Sequence, residues 1–473
     1  MRKLKLSQIS KALNAVYNQD AEFNGVCIDT RKITSGCLFV CIKGERFDAH
    51  DFAQEALDKG ASAVMVHKDV SVSGAFIKVE DTSKALLNLG AYYRSLFDIP
   101  VVALTGSVGK TTTKEFTSLV VASKYNTIKT QGNLNNEIGL PQTLFQIDDD
   151  TQAAVIEMGM NHFGEIHRLS IATQPTMALI TNVGVSHIEN LGSREGILKA
   201  KLEILDGLKE GSTLIINGDN DMLATVLDNN EICSKYNVIA FGKENKFNYC
   251  AENIKEENGS TSFDVIYTQS KQIDEIDGVK VEFSVSKENV TIPTVGIHNV
   301  YNALAAFAVG VNLDIEPELI AEALSSYEPA GMRQRLNTVG GRVCIEDCYN
   351  ASPDSMKASL GTLGNMKANK KIAVLGDMLE LGDYSKQAHL SVGKMAGENS
   401  IDCVLAYGKN AEYYVQGAKE NGVAHAELYN DKTELSSTLA ELAKCGDAVL
   451  FKGSRGMKLE EVMDSVYKRW ENK

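Results

Sequence analysis

The stretch Val101-Val102-Ala103-Leu104-Thr105-Gly106-Ser107-Val108-Gly109-Lys110-Thr111-Thr112 decides how the rest of the chain is read. Its first four residues form an uninterrupted apolar run, as a strand buried on both faces requires, and Thr113 to Val121 reads as a helix. A glycine-rich loop between strand and helix offers the amides of Gly106, Ser107, Val108, Gly109 and Lys110 to a phosphate at the helix's positive end. Glycine suits positions where the backbone must approach the anion closely. Lys110 supplies a cation for the β and γ phosphates, and the Thr111 hydroxyl is placed to ligate Mg²⁺. A plain glycine turn capping a helix would explain the glycines but not Lys110-Thr111-Thr112, so a bound nucleoside triphosphate is expected. The longer phosphate-loop pattern would have glycine where Leu104 stands, and the form present is T-G-x-x-G-K-T-T.

Outward from this loop, apolar strands alternate with amphipathic helices. Strands at Ala153 to Ile156, Met177 to Thr181 and Thr213 to Ile216 imply a largely parallel sheet in a central domain, 99–328. Residues 1–98 mix short apolar runs (Gly36 to Ile42, Ala63 to Val66, Ala75 to Val79) with helical pieces (Asp51 to Lys59, Ser83 to Leu96) and read as a small α/β domain. From Lys243 to Thr294 the chain turns polar, and period-2 stretches at Phe263 to Tyr267 and Val279 to Val285 predict antiparallel β structure. Helices follow near Asn299 to Leu313 and Pro317 to Ser325, and Tyr327 to Gly331 reads as a linker. Strands recur at Val343 to Glu346, Lys371 to Leu375, Cys403 to Ala406 and Ala448 to Phe451, so 329–473 is expected to be a doubly wound, Rossmann-like domain. The expected fold class is α/β in three domains.

Three positions near the loop could serve a triphosphate. Glu157 ends the second apolar strand, where a carboxylate would stand near the metal, although a strand-end Glu is as often simply solvated. His187 follows the strand ending at Thr181 and the loop Asn182-Val183-Gly184-Val185-Ser186, at a carboxyl end beside the same site. Lys199 and Lys201 lie on an amphipathic helix, Ser193 to Leu208, and spacing alone favours a solvated basic face.

The formal charge of -14, from 48 Lys and Arg against 62 Asp and Glu, argues against a nucleic-acid-binding surface, so phosphate binding must be local. The 9 cysteines show no C-x-x-C and no zinc spacing, which suits reduced, mostly buried thiols. Met1-Arg2-Lys3-Leu4-Lys5 is not followed by an apolar targeting segment, and no apolar run is long enough to span a bilayer. A cytoplasmic protein without membrane insertion is expected.

Taken together, T-G-x-x-G-K-T-T, Ile156-Glu157-Met158-Gly159, the Asn182 to Lys201 stretch and Gly296-Ile297-His298-Asn299-Val300-Tyr301-Asn302-Ala303-Leu304-Ala305-Ala306 resemble the Mur ligases of peptidoglycan synthesis, to which folylpolyglutamate synthase is related. Three segments narrow the resemblance to the branch that joins D-alanyl-D-alanine to UDP-N-acetylmuramoyl-tripeptide. They are Asn133-Leu134-Asn135-Asn136-Glu137-Ile138-Gly139-Leu140-Pro141, Glu346-Asp347-Cys348-Tyr349-Asn350-Ala351-Ser352-Pro353-Asp354-Ser355-Met356 and Leu375-Gly376-Asp377-Met378-Leu379-Glu380-Leu381-Gly382. Matches extend to Asp29-Thr30-Arg31 and Gly44 to His50 near the start and to Lys452-Gly453-Ser454-Arg455-Gly456 near the end. Ser352 departs from the N-A-N-P pattern, but Ser and Asn both suit the turn before Pro353.

The resemblance implies an ATP-dependent amide ligase. It would phosphorylate the tripeptide's terminal carboxylate to an acyl phosphate, which the dipeptide's amine then attacks. It implies two Mg²⁺ ions, the first on Thr111 and the second on Glu157 and His187, with Lys201 carried as a carbamate. Lys110, His187 and Lys201 would form the catalytic group. Asn299 and Asn302 would meet the adenine, Arg335 the phosphates and Asp347 the ribose. The UDP end would lie on the first domain near Thr30, Arg31 and Lys43, with Asn135, Asn136 and Asn350 as further substrate contacts and the dipeptide around Asp377 to Gly382. A monomer whose site assembles by domain closure is expected. A Mur-type ligase for lysine or meso-diaminopimelate stays open, as does a nucleotide-gated binding module, which would leave the motifs after residue 329 unexplained.

Overall fold

All five residues of the strand Val101–Thr105 are buried, and the strand lies inside a nine-stranded sheet. The computed structural model describes residues 1–471 except 46, 258, 276, 277 and 330, with only the backbone at 269–283. Arg46 and Ala330, in two of the segments read above, lie outside the described residues. From one edge the sheet runs Gly278–Ile292, Ser260–Glu275, Tyr249–Glu257, Asn237–Gly242, Thr213–Asn217, Met177–Ile180, Val101–Thr105, Ala153–Glu157 and Thr127–Lys129. Neighbours from Thr127–Lys129 to Tyr249–Glu257 are parallel, as the apolar runs at 101–104, 153–156, 177–181 and 213–216 predict. Tyr249–Glu257, expected within the antiparallel stretch, pairs parallel with Asn237–Gly242, and only the two long strands beyond it are antiparallel as the polar alternation predicts.

After Val101–Thr105 the chain fills one side of that strand with Ala153–Glu157 and then the other with Met177–Ile180. Such a reversal opens a crevice at the strands' carboxyl ends, where ligands of open α/β sheets bind. The helix after the loop starts at Lys110 rather than Thr113, because Gly109 adopts the left-handed conformation (φ 83°) and turns the chain straight into the first helical turn. Helix Ile297–Val311 packs across it, burying Val300, Leu304 and Phe307 with Phe116 and Val120.

The first domain has a five-stranded sheet ordered Val16–Tyr17, Ala75–Lys78, Ala63–Val66, Cys37–Val40, Gly25–Cys27, parallel except at its first pair. Its helix Thr82–Arg94, capped by Asp81, packs on the central domain. The third domain has a six-stranded sheet ordered Arg335–Val339, Arg342–Asp347, Ala448–Lys452, Lys371–Gly376, Cys403–Tyr407, His425–Tyr429, antiparallel only at its first pair. The edge strand His425–Tyr429 was not anticipated, because His425 and Glu427 break its apolar character and Leu428 is exposed. The helix expected over Ser193 to Leu208 is α-helical over Arg194–Leu202 and tightens to 3₁₀ over Glu203–Gly207.

Candidate active site

Two glycines of the loop are required by what they touch. A Cβ on Gly106 would lie 1.9 Å from Thr181 Oγ1, and one on Gly109 would lie 2.6 Å from Asn302 Oδ1. Asn302 props the loop from below, since its Oδ1 accepts from Thr113 Oγ1 (3.0 Å) and its Nδ2 donates to Asn299 Oδ1 (3.2 Å). The phosphate cradle is narrower than expected. The amides of Ser107 and Val108 both donate to Asn182 Oδ1 at 2.9 Å, whereas those of Gly109 to Thr112 have no acceptor among the described residues and form the helix's open N-terminus. Lys110 Nζ folds back onto the Gly106 carbonyl at 2.8 Å. Burial, then Arg333, lower its pKa, against the pull of Glu157.

Glu157 and His187 stand at the carboxyl ends of the strands flanking the loop strand, the consequence of the sheet order. Glu157 Oε1 accepts from Asn135 Nδ2 at 2.8 Å, while its Oε2 is buried without a hydrogen-bond partner among the described residues. His187 has a left-handed backbone (φ 62°), and its Nδ1 is buried without a hydrogen bond to a described residue, 3.4 Å from Glu380 Oε2 of the third domain. Burial, then Lys110 and Lys201, push the His187 pKa down to about 4, so its ring is neutral and one of its two nitrogens keeps a lone pair. Lys201 is 2% exposed and makes no hydrogen bond or ion pair with a described residue. It is a buried side chain and not part of a solvated face. Burial, then Lys110, hold its pKa well below the ordinary lysine value.

An orphaned carboxylate oxygen and an orphaned imidazole nitrogen on one cavity wall fit a divalent cation. Among the described residues no group of three or more His, Cys, Asp or Glu forms a metal cage. Mg²⁺ suits such a sparse site, since it usually takes one or two carboxylates and completes its shell from phosphates and water.

The cavity, about 530 Å³, is walled by two domains. The central domain contributes Ser107, Val108, Gly109, Lys110, Thr111, Thr112, Asn135, Asn136, Glu157, His187, Asn299 and Asn302, and the third contributes Asp347 and Asn350. Gly106 lies beneath it. Asp347 Oδ2 accepts from Lys452 Nζ and Ser359 Oγ, both at 2.6 Å. Asn136 Oδ1 accepts the amides of Ile138 and Gly139, so it also shapes its own turn.

Arg335 requires a correction. It is exposed at the start of its strand and outside the cavity, while Arg333 lines the cavity with its guanidinium 4.0 Å over the Tyr349 ring. In an extended chain these two residues would share a face, but Gln334 has a left-handed backbone (φ 51°) that breaks the alternation. The sequence carried no signal for that reversal. Gln334 carried no signal either, whereas His298, Lys452 and Asn182 fall within segments that carry the family resemblance but were given no role there. Thr30, Arg31 and Lys43 stay on the first domain, outside this cavity. Arg31 is held by Asp29 through Nε and the second guanidinium nitrogen (2.9 and 2.8 Å), and Lys43 borders a smaller hollow with His67, Glu80 and Asp81.

Family models match in chain order: the Mur ligase family catalytic domain at 22–96, the Mur ligase middle domain at 104–310 and the Mur ligase glutamate ligase domain at 334–455. The chain is 40% identical to the UDP-N-acetylmuramoyl-tripeptide–D-alanyl-D-alanine ligase of Bacillus subtilis, over 96% of this chain and 95% of that one. Among solved structures it is similar to MurF from Acinetobacter baumannii, with TM-score 0.88 and 31% identity over 99% of both chains. It is also similar to the MurF ligase of Thermotoga maritima solved in complex with ADP, with TM-score 0.83 and 29% identity over 95% of this chain and 98% of that one.

Proposed function

We propose that this chain, which belongs to the Mur ligase family, joins D-alanyl-D-alanine to UDP-N-acetylmuramoyl-tripeptide with ATP, giving UDP-N-acetylmuramoyl-pentapeptide, ADP and phosphate. One observation carries the reading: a single cavity combines a glycine-rich loop with Lys110 and Thr111, the unpaired Glu157 Oε2 and His187 Nδ1 and a third-domain wall, in a chain alike end to end with a ligase of that name.

The terminal carboxylate of the tripeptide attacks the γ phosphate, forming a carboxyl O–P bond as the bond to ADP breaks. The dipeptide's amine then attacks the acyl carbon, phosphate leaves, and the amine sheds a proton. Two anions must meet in the first step, and this chain offsets their repulsion with Lys110, Arg333 and the open amides of Gly109 to Thr112. Bound Mg²⁺ supplies further positive charge, held by Thr111, Glu157 and His187. Asn135 holds Glu157 Oε1, which leaves Oε2 as the oxygen that would meet the ion. The burial of Lys201 supports a carbamate reading: its amine, once deprotonated, would bond to the carbon of CO₂ and release a proton, turning a misplaced cation into an oxygen ligand. Intact mass and ¹³C spectra with labelled bicarbonate test this, and an unmodified Lys201 in fully active protein would remove it.

Asp347, whose Oδ2 is occupied by Lys452 and Ser359, offers Oδ1 to the ribose, and Asn299 with Asn302 stands toward the adenine. The UDP end sits on the first domain at Thr30, Arg31 and Lys43, with Asn136 and Asn350 nearer the peptide and the dipeptide at Asp377 to Gly382. On this reading 1–98, 99–328 and 329–473 are a UDP-substrate, an ATP and a dipeptide-side domain of a cytoplasmic monomer. Among the described residues no helix is long and apolar enough to cross a membrane. The deciding experiment is phosphate release with UDP-N-acetylmuramoyl-tripeptide and ATP. Release should require D-alanyl-D-alanine, and release driven instead by lysine or meso-diaminopimelate on the shorter precursor would overturn the assignment.

A further inference from the structure

One hydrogen-bonded chain crosses from the central to the third domain at the cavity and uses a residue that no motif singles out. His298 Nε2 lies 2.6 Å from Gln334 Oε1, and Asn299 Nδ2 donates to the same oxygen at 3.3 Å. Gln334 Nε2 donates to Ser359 Oγ at 3.3 Å, and Ser359 Oγ donates to Asp347 Oδ2 at 2.6 Å. Burial lowers the His298 pKa, so the ring is neutral and its Nε2–H is the donor to Gln334. All donations then run one way, from the imidazole through the amide and hydroxyl into the carboxylate, the arrangement in which each bond polarises the next. Ser359 and Asn299 are buried, which raises the cost of leaving either side unpaired. Gln334 also holds a left-handed backbone that a glutamine seldom adopts, a conformation that persists only where the surroundings enforce it.

We infer that Gln334 is a positioning residue that joins the base side (His298, Asn299) and the ribose side (Asp347) of the nucleotide site into one unit across the domain seam. The inference rests on the proposed ATP site. Gln334 need not touch the nucleotide: its oxygen fixes the His298 ring and adds a long third contact to the Asn299 amide, which Thr294 Oγ1 and the Val295 carbonyl already hold (3.1 and 2.8 Å). Its amide N–H occupies the Ser359 acceptor, leaving the serine proton to Asp347 Oδ2 (2.6 Å) ahead of the Ser355 carbonyl (3.0 Å).

Two substitutions separate the halves. Gln334→Met removes both. Gln334→Glu keeps the acceptor for His298 and Asn299 but replaces the donor with a second carboxylate competing for the Ser359 proton. Loss of two or three neutral hydrogen bonds should raise the KM for ATP on the order of 10-fold in Gln334→Met, with kcat and the KM of the UDP substrate changed much less. Gln334→Glu should raise it less, yet weaken discrimination against 2′-deoxy- and 3′-deoxy-ATP as much as Gln334→Met does. A KM for ATP and a deoxy-ATP ratio both within about twofold of the parent would overturn the inference, as would a lowered melting midpoint with KM unmoved. If Gln334→Met does not fold, the isosteric Gln334→Glu carries the test through the deoxy-ATP ratio alone. Lys110→Ala tells the two readings apart. If it binds ATP as tightly as the parent, the nucleotide site itself is misassigned. If it loses ATP while both Gln334 variants match the parent, only the role of Gln334 fails.

Discussion

The two seams between domains are built from opposite materials. Where the first domain meets the central one, a single hydrophobic cluster runs through both, including Leu86, Tyr93, Leu140, Leu144 and Phe145. Its long polar side chains are tied down: Tyr93 OH donates to the Ile147 carbonyl at 2.6 Å and Arg94 Nε to the Thr173 carbonyl at 3.0 Å. Where the third domain meets the central one, the two clusters of the third domain contain no central-domain residue. The joint is polar instead, with Val185 N donating to Asp354 Oδ2 at 3.2 Å, His298 on Gln334 and His187 facing Glu380. Apolar area withdrawn from water stays closed, whereas polar contacts can be exchanged for water at small net change. The first seam therefore makes a fixed platform and the second a joint that substrates can open, which is what a cavity walled by both domains requires.

The contrast breaks most visibly if the first seam is hollowed. Tyr93→Ala should destabilise the protein by about 3–5 kcal/mol in denaturant unfolding, the range for losing a large buried ring. Its KM for ATP should not move. A large fall in activity in protein that unfolds at the parent's midpoint would mean that this seam moves during turnover.

The second seam should respond the other way. Gly184 faces Asp354 so closely that a Cβ would lie 1.9 Å from Asp354 Oδ2, and the Gly184 amide also donates to Ser107 Oγ at 2.9 Å. Gly184→Ala should hold the third domain off the His187 loop and lower kcat by about 100-fold, the scale expected when reacting groups are displaced by about 1 Å. Stability should change little, and ATP binding should weaken as Arg333 and Asp347 are held away from the nucleotide. Solution scattering with an ATP analogue and both substrates should show the parent closing and the variant staying open. Equal curves for the two would remove the idea of a joint.

The same contrast explains what the sequence made legible. Strands buried on both faces, such as Val101–Thr105 and Ala153–Glu157, announce themselves as apolar runs, and the order of alternation yields the parallel sheets. Lys110, Thr111, Glu157 and His187 follow, because the crevice at a strand reversal collects whatever stands at the carboxyl ends. Residues that depend on backbone hand or on the facing domain were not legible. Arg333 rather than Arg335 enters the cavity because Gln334 is left-handed, and nothing in Arg333-Gln334-Arg335 encodes that. Lys201 looked like part of a solvated face by spacing, and only the packing around it shows an amine stripped of water.

The smallest expected effect tests the contact geometry itself. Asp354→Ala removes the acceptor for the Val185 amide, a single hydrogen bond worth about 1 kcal/mol, so kcat/KM for the full reaction should fall by about fivefold. Asn at the same position can still accept from that amide and should restore most of the loss. The decisive comparison is the double variant. If Gly184→Ala acts by colliding with the Asp354 carboxylate, then Asp354→Ala makes room for the new methyl, and Gly184→Ala/Asp354→Ala should be more active than Gly184→Ala alone. Harmful changes at independent sites would simply compound. A compounded loss in the double variant would mean that Gly184 matters through the loop's own conformation and not through docking of the third domain, and the polar seam would lose its main point of contact.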